Sequence, residues 1–133
     1  MPAQPTSSSS GAGSHLKVLV VDDDEDGAEM LSQMLELEGY DTRVAHGAEE
    51  ALAIAAEFLP HIALLDLGMP VIDGFTLARQ VRALPGLAAI RLIAVTGYGR
   101  AEDRLGTLQA GFAAHLLKPI EPARLLAAVR DDI

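Results

Sequence analysis

Three short, almost wholly apolar runs limit the folds open to this chain more than any other feature: Lys17–Val21 (KVLVV), Ile62–Leu65 (IALL) and Leu92–Val95 (LIAV). A strand with one wet face alternates apolar and polar residues, whereas a strand covered on both faces has no reason to. Runs of this length are too short for helices, so they read as inner strands of a parallel sheet. Weaker strand candidates lie at Thr42–Ala45 and His115–Leu117. Helical spacing fills the gaps. Met30, Leu31, Met34 and Leu35 form one stripe, and Ala51, Leu52 and Ala55 a second. Phe75, Leu77, Ala78 and Val81 form a third, in a helix starting near Gly74 and capped by Asp73. Arg100–Ala110 holds few large apolar residues and predicts a thinner fourth helix, and Pro122 opens a last one buried through Leu125, Leu126 and Val129. Five strands and five helices in strict alternation predict an α/β domain with right-handed crossovers and helices on both sheet faces.

The chain has 133 residues, enough for one ordinary domain. Residues 1–14 (MPAQPTSSSSGAGS) cannot bury enough apolar surface to offset their ordering entropy and read as a flexible linker or leader, leaving 15–133 as the domain. Cysteine is absent, which excludes disulfides and thiolate zinc sites and suits a cytoplasmic location. No apolar run approaches the roughly 20 residues needed to span a bilayer, so no direct membrane contact is expected. A net charge of −9 with scattered arginines argues against nucleic-acid binding through phosphates.

In an open parallel sheet the ligand site lies beyond the carboxyl ends of the strands. The polar residues there are Asp22 and Asp23 after the first strand, Asp66 after the third, Thr96 after the fourth and Lys118 after the fifth. Crowded carboxylates raise one another's pKa unless a cation intervenes. Mg²⁺ (or Mn²⁺) suits one or two carboxylates together with phosphate oxygens and water. Lys118 supplies a second positive charge and Thr96 a hydroxyl donor, both suited to a phosphoryl group. A carboxylate nucleophile attacking phosphorus would form an acyl phosphate.

The segments VLVVDDDED, LLDLGMPVIDG, LIAVTGYG and HLLKPI resemble, in order, the four signature blocks of response-regulator receiver domains, over about Leu16 to Ile133. The resemblance implies a flavodoxin-like doubly wound sheet of strand order 2-1-3-4-5. It also implies that Asp66 is the phosphoacceptor and that Asp23 binds Mg²⁺ directly, with Asp22 acting more through water. The Gly68 backbone carbonyl would be a further metal ligand. Thr96 and Lys118 would hold the phosphoryl group, Gly97 would leave it room, and the Lys118–Pro119 bond would be cis. Thr96 and the residue at His115 would form the switch. His115 departs from the family pattern, because Tyr or Phe is common there and imidazole can carry charge near neutral pH.

The implied partners are a histidine kinase domain or a histidine phosphotransfer protein, with the domain a monomer or weak dimer. Self-phosphorylation and dephosphorylation, without turnover of other substrates, would be its only catalysis. The chain ends just after the fifth helix, which suggests a stand-alone receiver or a piece of a larger protein. The run TGYGRAEDRLGTLQAGFAAHLLKPI is similar to receivers at the C-terminal end of hybrid sensor histidine kinases. A haloacid-type phosphatase would also use D-x-D, here within Asp22–Asp24, but needs a late acidic pair, and Asp131–Asp132 in the tail is the sole candidate. A pseudo-receiver would have lost one of the site residues. Asp24, Glu25 and Asp26 read as cap and helix-dipole residues; His46 and His61 have no metal-like partners in the sequence. Tyr98 and Gly99 sit in a loop near the site.

Overall fold

All three apolar runs form strands of one parallel sheet in the computed structural model, which describes residues 16–68, 74–97, 107 and 109–130. The elements are β1 (Lys17–Val21), α1 (Glu25–Leu37), β2 (Asp41–Ala45), α2 (Ala48–Phe58), β3 (Ile62–Asp66), α3 (Gly74–Arg82), β4 (Arg91–Thr96), β5 (Ala114–Leu117) and α4 (Pro122–Arg130). The strand order is β2-β1-β3-β4-β5, the flavodoxin-like order. The described residues form four of the five expected helices. Of the expected Arg100–Ala110 helix, Thr107 and Gln109 are helical and the remainder lies mostly outside the described residues, as do the expected cap Asp73 and the 1–14 leader. No described helix is long and apolar enough to cross a membrane.

Continuous apolarity in the strands has a direct physical cause. Leu19, Val21, Ala63, Leu65, Leu92 and Ala94 point to one face and pack with Ala51 and Ala55 of α2 and Leu77, Ala78 and Val81 of α3. Val18, Val20, Ile62, Leu64, Ile93 and Val95 point to the other and pack with Ala28, Leu31 and Leu35 of α1 and Leu125, Ala128 and Val129 of α4. Neither face is wet, and each fully buried leucine contributes about 1.5–3 kcal/mol relative to exposure.

The first helix buries the expected Leu31 and Leu35 and packs Met34 against the same core, but turns Met30 outward and adds Ala28 and Ser32. Its buried residues are Ala28, Leu31, Ser32 and Leu35, while Met30 is 60% exposed. A polar pair accompanies this packing: the Ser32 and Thr42 hydroxyls lie 2.6 Å apart, and the Thr42 hydroxyl also donates to Glu36 Oε2 at 3.0 Å. A serine satisfied by β2 can be buried, so the core face of α1 includes a polar residue that hydropathy does not mark. Two smaller shifts have the same flavour. Leu52 and Leu126 are half-buried, while the smaller Ala128 is fully buried against the sheet.

Candidate functional site

Strand register determines which residues meet. Val21 lies opposite Ala45 of β2 and Leu65 of β3, Asp66 opposite Val95, and Thr96 opposite Leu117. Parallel strands advance together, so the residues at or just beyond these pairs emerge in one layer. Asp22, Asp66, Thr96 and Lys118 therefore share the carboxyl edge of the sheet. Asp22 and Asp66 flank the crevice between β1 and β3, where the strand order reverses.

Asp22 and Asp66 are buried and Asp23 is exposed, and each offers an oxygen within 4.8 Å of the others. Lys118 Nζ spans the two buried carboxylates, 3.1 Å from Asp22 Oδ2 and 3.3 Å from Asp66 Oδ2. The Gly68 N–H donates to Asp66 Oδ1 at 2.9 Å, and the Asp24 N–H to Asp22 Oδ1 at 3.0 Å. Asp24 occupies the α1 cap position, but its side chain makes no cap hydrogen bond; Glu25 and Asp26 do lie in the first turn. Thr96 is buried, and its carbonyl accepts from the Lys118 N–H at 2.8 Å. The Lys118–Pro119 bond is cis. His115 sits in β5 opposite Ala94, with its ring nitrogens shielded from solvent. Asp73, Tyr98, Gly99, Asp131 and Asp132 lie outside the described residues.

Burial pushes the Asp22 carboxyl above its ordinary range, and neighbouring Asp66 adds to the shift, while the Asp24 N–H and Lys118 oppose it. For Lys118, burial acts downward, but the carboxylates of Asp22 and Asp66 outweigh it and raise its pKa. Three carboxylates and one ammonium leave two formal negative charges, which a single divalent cation would neutralise. The donors are hard oxygens, as Mg²⁺ requires, and oxygens facing each other across Mg²⁺ at about 2.1 Å are about 4.2 Å apart. The cluster is thus close to ligating dimensions, and the residues fit the ion.

Two residues matter here more than their sequence context suggested. Gly74 reads as a turn residue in sequence, yet a Cβ there would lie 2.6 Å from Leu67 Cδ2 and 3.0 Å from the Asp66 carbonyl oxygen. The start of α3 is pressed onto the backbone that carries Asp66. Gly74→Ala is expected to destabilise the fold by about 1–3 kcal/mol, read as a lower denaturant midpoint at unchanged slope. An unchanged midpoint would show that the close approach relaxes freely. His46, set aside in sequence for want of metal-like partners, has its ring Nδ1 3.1 Å from the Asp22 carbonyl oxygen. The signal was available: His46 directly follows a strand, β2, just as Asp22 follows β1.

Comparison with known proteins gives consistent relatives. The response regulator receiver domain family matches residues 18–130. An uncharacterized 14.6 kDa protein of Leptolyngbya boryana is 43% identical over 115 residues, covering 86% of this chain and 88% of that protein. The response regulator PleD of Caulobacter vibrioides is 39% identical over 114 residues, but this chain spans only 25% of its length. A CheY-like receiver domain from Methanospirillum hungatei superposes with a TM-score of 0.80 at 33% identity, covering 90% of this chain and 94% of that one.

Proposed function

The chain belongs to the response regulator receiver domain family, and from that membership we propose that it accepts a phosphoryl group on Asp66 from a phosphohistidine donor, in a Mg²⁺-dependent reaction. The observation that carries this reading is the convergence of Asp22, Asp23 and Asp66 at one sheet edge, with Lys118 spanning the two buried carboxylates. An Asp66 carboxylate oxygen attacks phosphorus, the P–N bond to the donor imidazole breaks, and the departing nitrogen keeps the electron pair and takes up a proton. The product on Asp66 is an acyl phosphate. Asp22, Asp23, Asp66 and the Gly68 backbone carbonyl would hold the ion. When bound, Mg²⁺ neutralises the carboxylates and the incoming phosphoryl oxygens.

The Gly68 N–H holds Asp66 Oδ1, which leaves the carboxylate fixed for attack. Lys118 leaves Asp22 and Asp66 in part to meet the new negative charge, and the Thr96 hydroxyl donates to a phosphoryl oxygen. Thr96 and His115 then form the switch: the hydroxyl's move toward the phosphoryl group opens space that the β5 imidazole follows. The donor would be a histidine kinase or a histidine phosphotransfer protein. A hybrid-kinase origin rests on the similarity of residues 96–120 to such receivers. No turnover of small phosphate esters is expected.

Incubating the protein with Mg²⁺ and a small phosphodonor such as phosphoramidate is expected to give an acid-stable, base-labile phosphoryl adduct, lost when EDTA replaces Mg²⁺. A wild-type protein that takes up no phosphate under these conditions overturns the reading.

A further inference from the structure

Both backbone polar groups of Asp22 are held by two consecutive residues at the end of β2. The Asp22 N–H donates to the Ala45 carbonyl at 3.0 Å, continuing the ladder beyond the last strand pair. The Asp22 carbonyl oxygen then meets His46 Nδ1 at 3.1 Å. A carbonyl can only accept, so Nδ1 carries the hydrogen and donates. The His46 backbone is itself held, because its N–H donates to Glu50 Oε1 at 2.8 Å across the first turn of α2. That carbonyl belongs to the peptide group joining Asp22 to Asp23. Fixing its plane fixes the N–Cα bond of Asp23 and so removes one of the rotations that could turn that side chain away from the site.

We propose that His46 is a positioning residue for metal binding: its Nδ1–H, acting through the Asp22–Asp23 peptide, orients the two acidic side chains toward one ion. The proposal rests on the reading of Asp22 and Asp23 as Mg²⁺ ligands. Asp23 needs such help more than its neighbours do. Asp22 and Asp66 are buried and tied by Lys118, Asp24 and Gly68, whereas Asp23 is exposed on the loop leaving β1. A ligand on an unsupported peptide spends much of its time turned away from the site, and the metal must then bear the cost of ordering it.

The test compares three variants by calorimetric titration of the metal-free protein with Mg²⁺. His46→Asn places an amide donor near the position of Nδ1, His46→Ala removes the donor, and His46→Gln carries a donor of the same kind too far along the chain. His46→Ala and His46→Gln are expected to weaken Mg²⁺ binding about 3- to 10-fold, at the low end for groups that support metal ligands. His46→Asn is expected to stay within about twofold of the wild type. Melting temperatures measured without metal separate a structural role, which would lower them and leave the Mg²⁺ affinity of the folded protein unchanged. Nitrogen-15 shifts of the neutral His46 ring in metal-free protein are expected to show the hydrogen on Nδ1. Wild-type affinity in His46→Ala, failure of His46→Asn to restore binding, or a hydrogen on Nε2 would each overturn the positioning role alone. Absence of Mg²⁺ binding by the wild type would instead overturn the metal-site reading beneath it, and the positioning role with it. If His46→Ala does not fold, the Asn and Gln pair decides the question.

Discussion

Asp66→Asn is expected to abolish phosphoryl uptake and, in the same protein, to raise the melting temperature at neutral pH. The first effect follows from the role proposed for Asp66 as the nucleophile. An amide oxygen is a poor one, and the adduct it would form is not a stable acyl phosphate, so incorporation should fall to background. The second follows from the neighbourhood. Asp66 and Asp22 are buried beside each other, and the charge on Asp66 contributes to the raised pKa of Asp22. A neutral amide removes that repulsion while its oxygen can still accept from the Gly68 N–H. A gain of about 1 kcal/mol would raise the melting temperature by roughly 3–5 °C for a chain of this size. The comparison belongs in metal-free buffer, because Mg²⁺ bound only by folded wild type would stabilise it by mass action and mask the difference. A variant that melts lower than wild type without metal would show that Asp66 is structurally paired and not held in strain for chemistry.

Lys118→Met is expected to have the opposite effect on stability and the same direction of effect on chemistry. Removing one partner of a buried charge pair costs about 3–5 kcal/mol. The Lys118 side chain is 36% exposed, so solvent screening reduces the expected loss at neutral pH to about 2 kcal/mol. Phosphoryl uptake should fall about 10²- to 10³-fold, as when a single oxyanion donor is removed. The pH dependence is distinctive. Lys118 has a raised folded pKa, so its contribution is complete below 10.5 and fades as pH rises through the folded value. Asp22 also has a raised folded pKa. The fold therefore binds its proton more readily than the unfolded chain does, and stability falls as pH rises from 3.8 through the folded value. The deficit of Lys118→Met should thus be largest in the neutral range. It should shrink in acid, as Asp22 takes up its proton, and again in strong alkali. Denaturant titrations across pH measure it, and a deficit that stays constant would assign Lys118 a packing role.

The strand-end rule picked out Asp22, Asp23, Asp66, Thr96 and Lys118, which the fold gathers at one sheet edge, because hydropathy marks inner strands sharply and these polar residues directly follow or end them. It did not add His46, set aside for want of metal-like partners, because β2 is an edge strand. Its burial alternates from Asp41 to Ala45, with exposed residues among buried ones, so the run looks weak and its end draws no attention. Gly74 was legible as a turn residue but not as a close contact, since a glycine's neighbours in space are not its neighbours in the chain. The burial of Ser32 on the α1 face was missed for a related reason. Ser32 is buried because Thr42, ten residues later, satisfies its hydroxyl.

By itself, the sequence determined the fold class and which polar groups stand at the strand ends, because both depend on local patterns: apolar runs covered on two faces, helical spacing between them, and polar residues at their ends. Tertiary structure alone decided how those groups act on one another. Lys118 bridges Asp22 and Asp66 because parallel register carries three strand ends into one layer. His46 reaches the Asp22 carbonyl because β2 pairs with β1. Coulomb and hydrogen-bond energies depend on separations of a few ångströms between residues far apart in the chain, and such separations exist only once the sheet has closed its register.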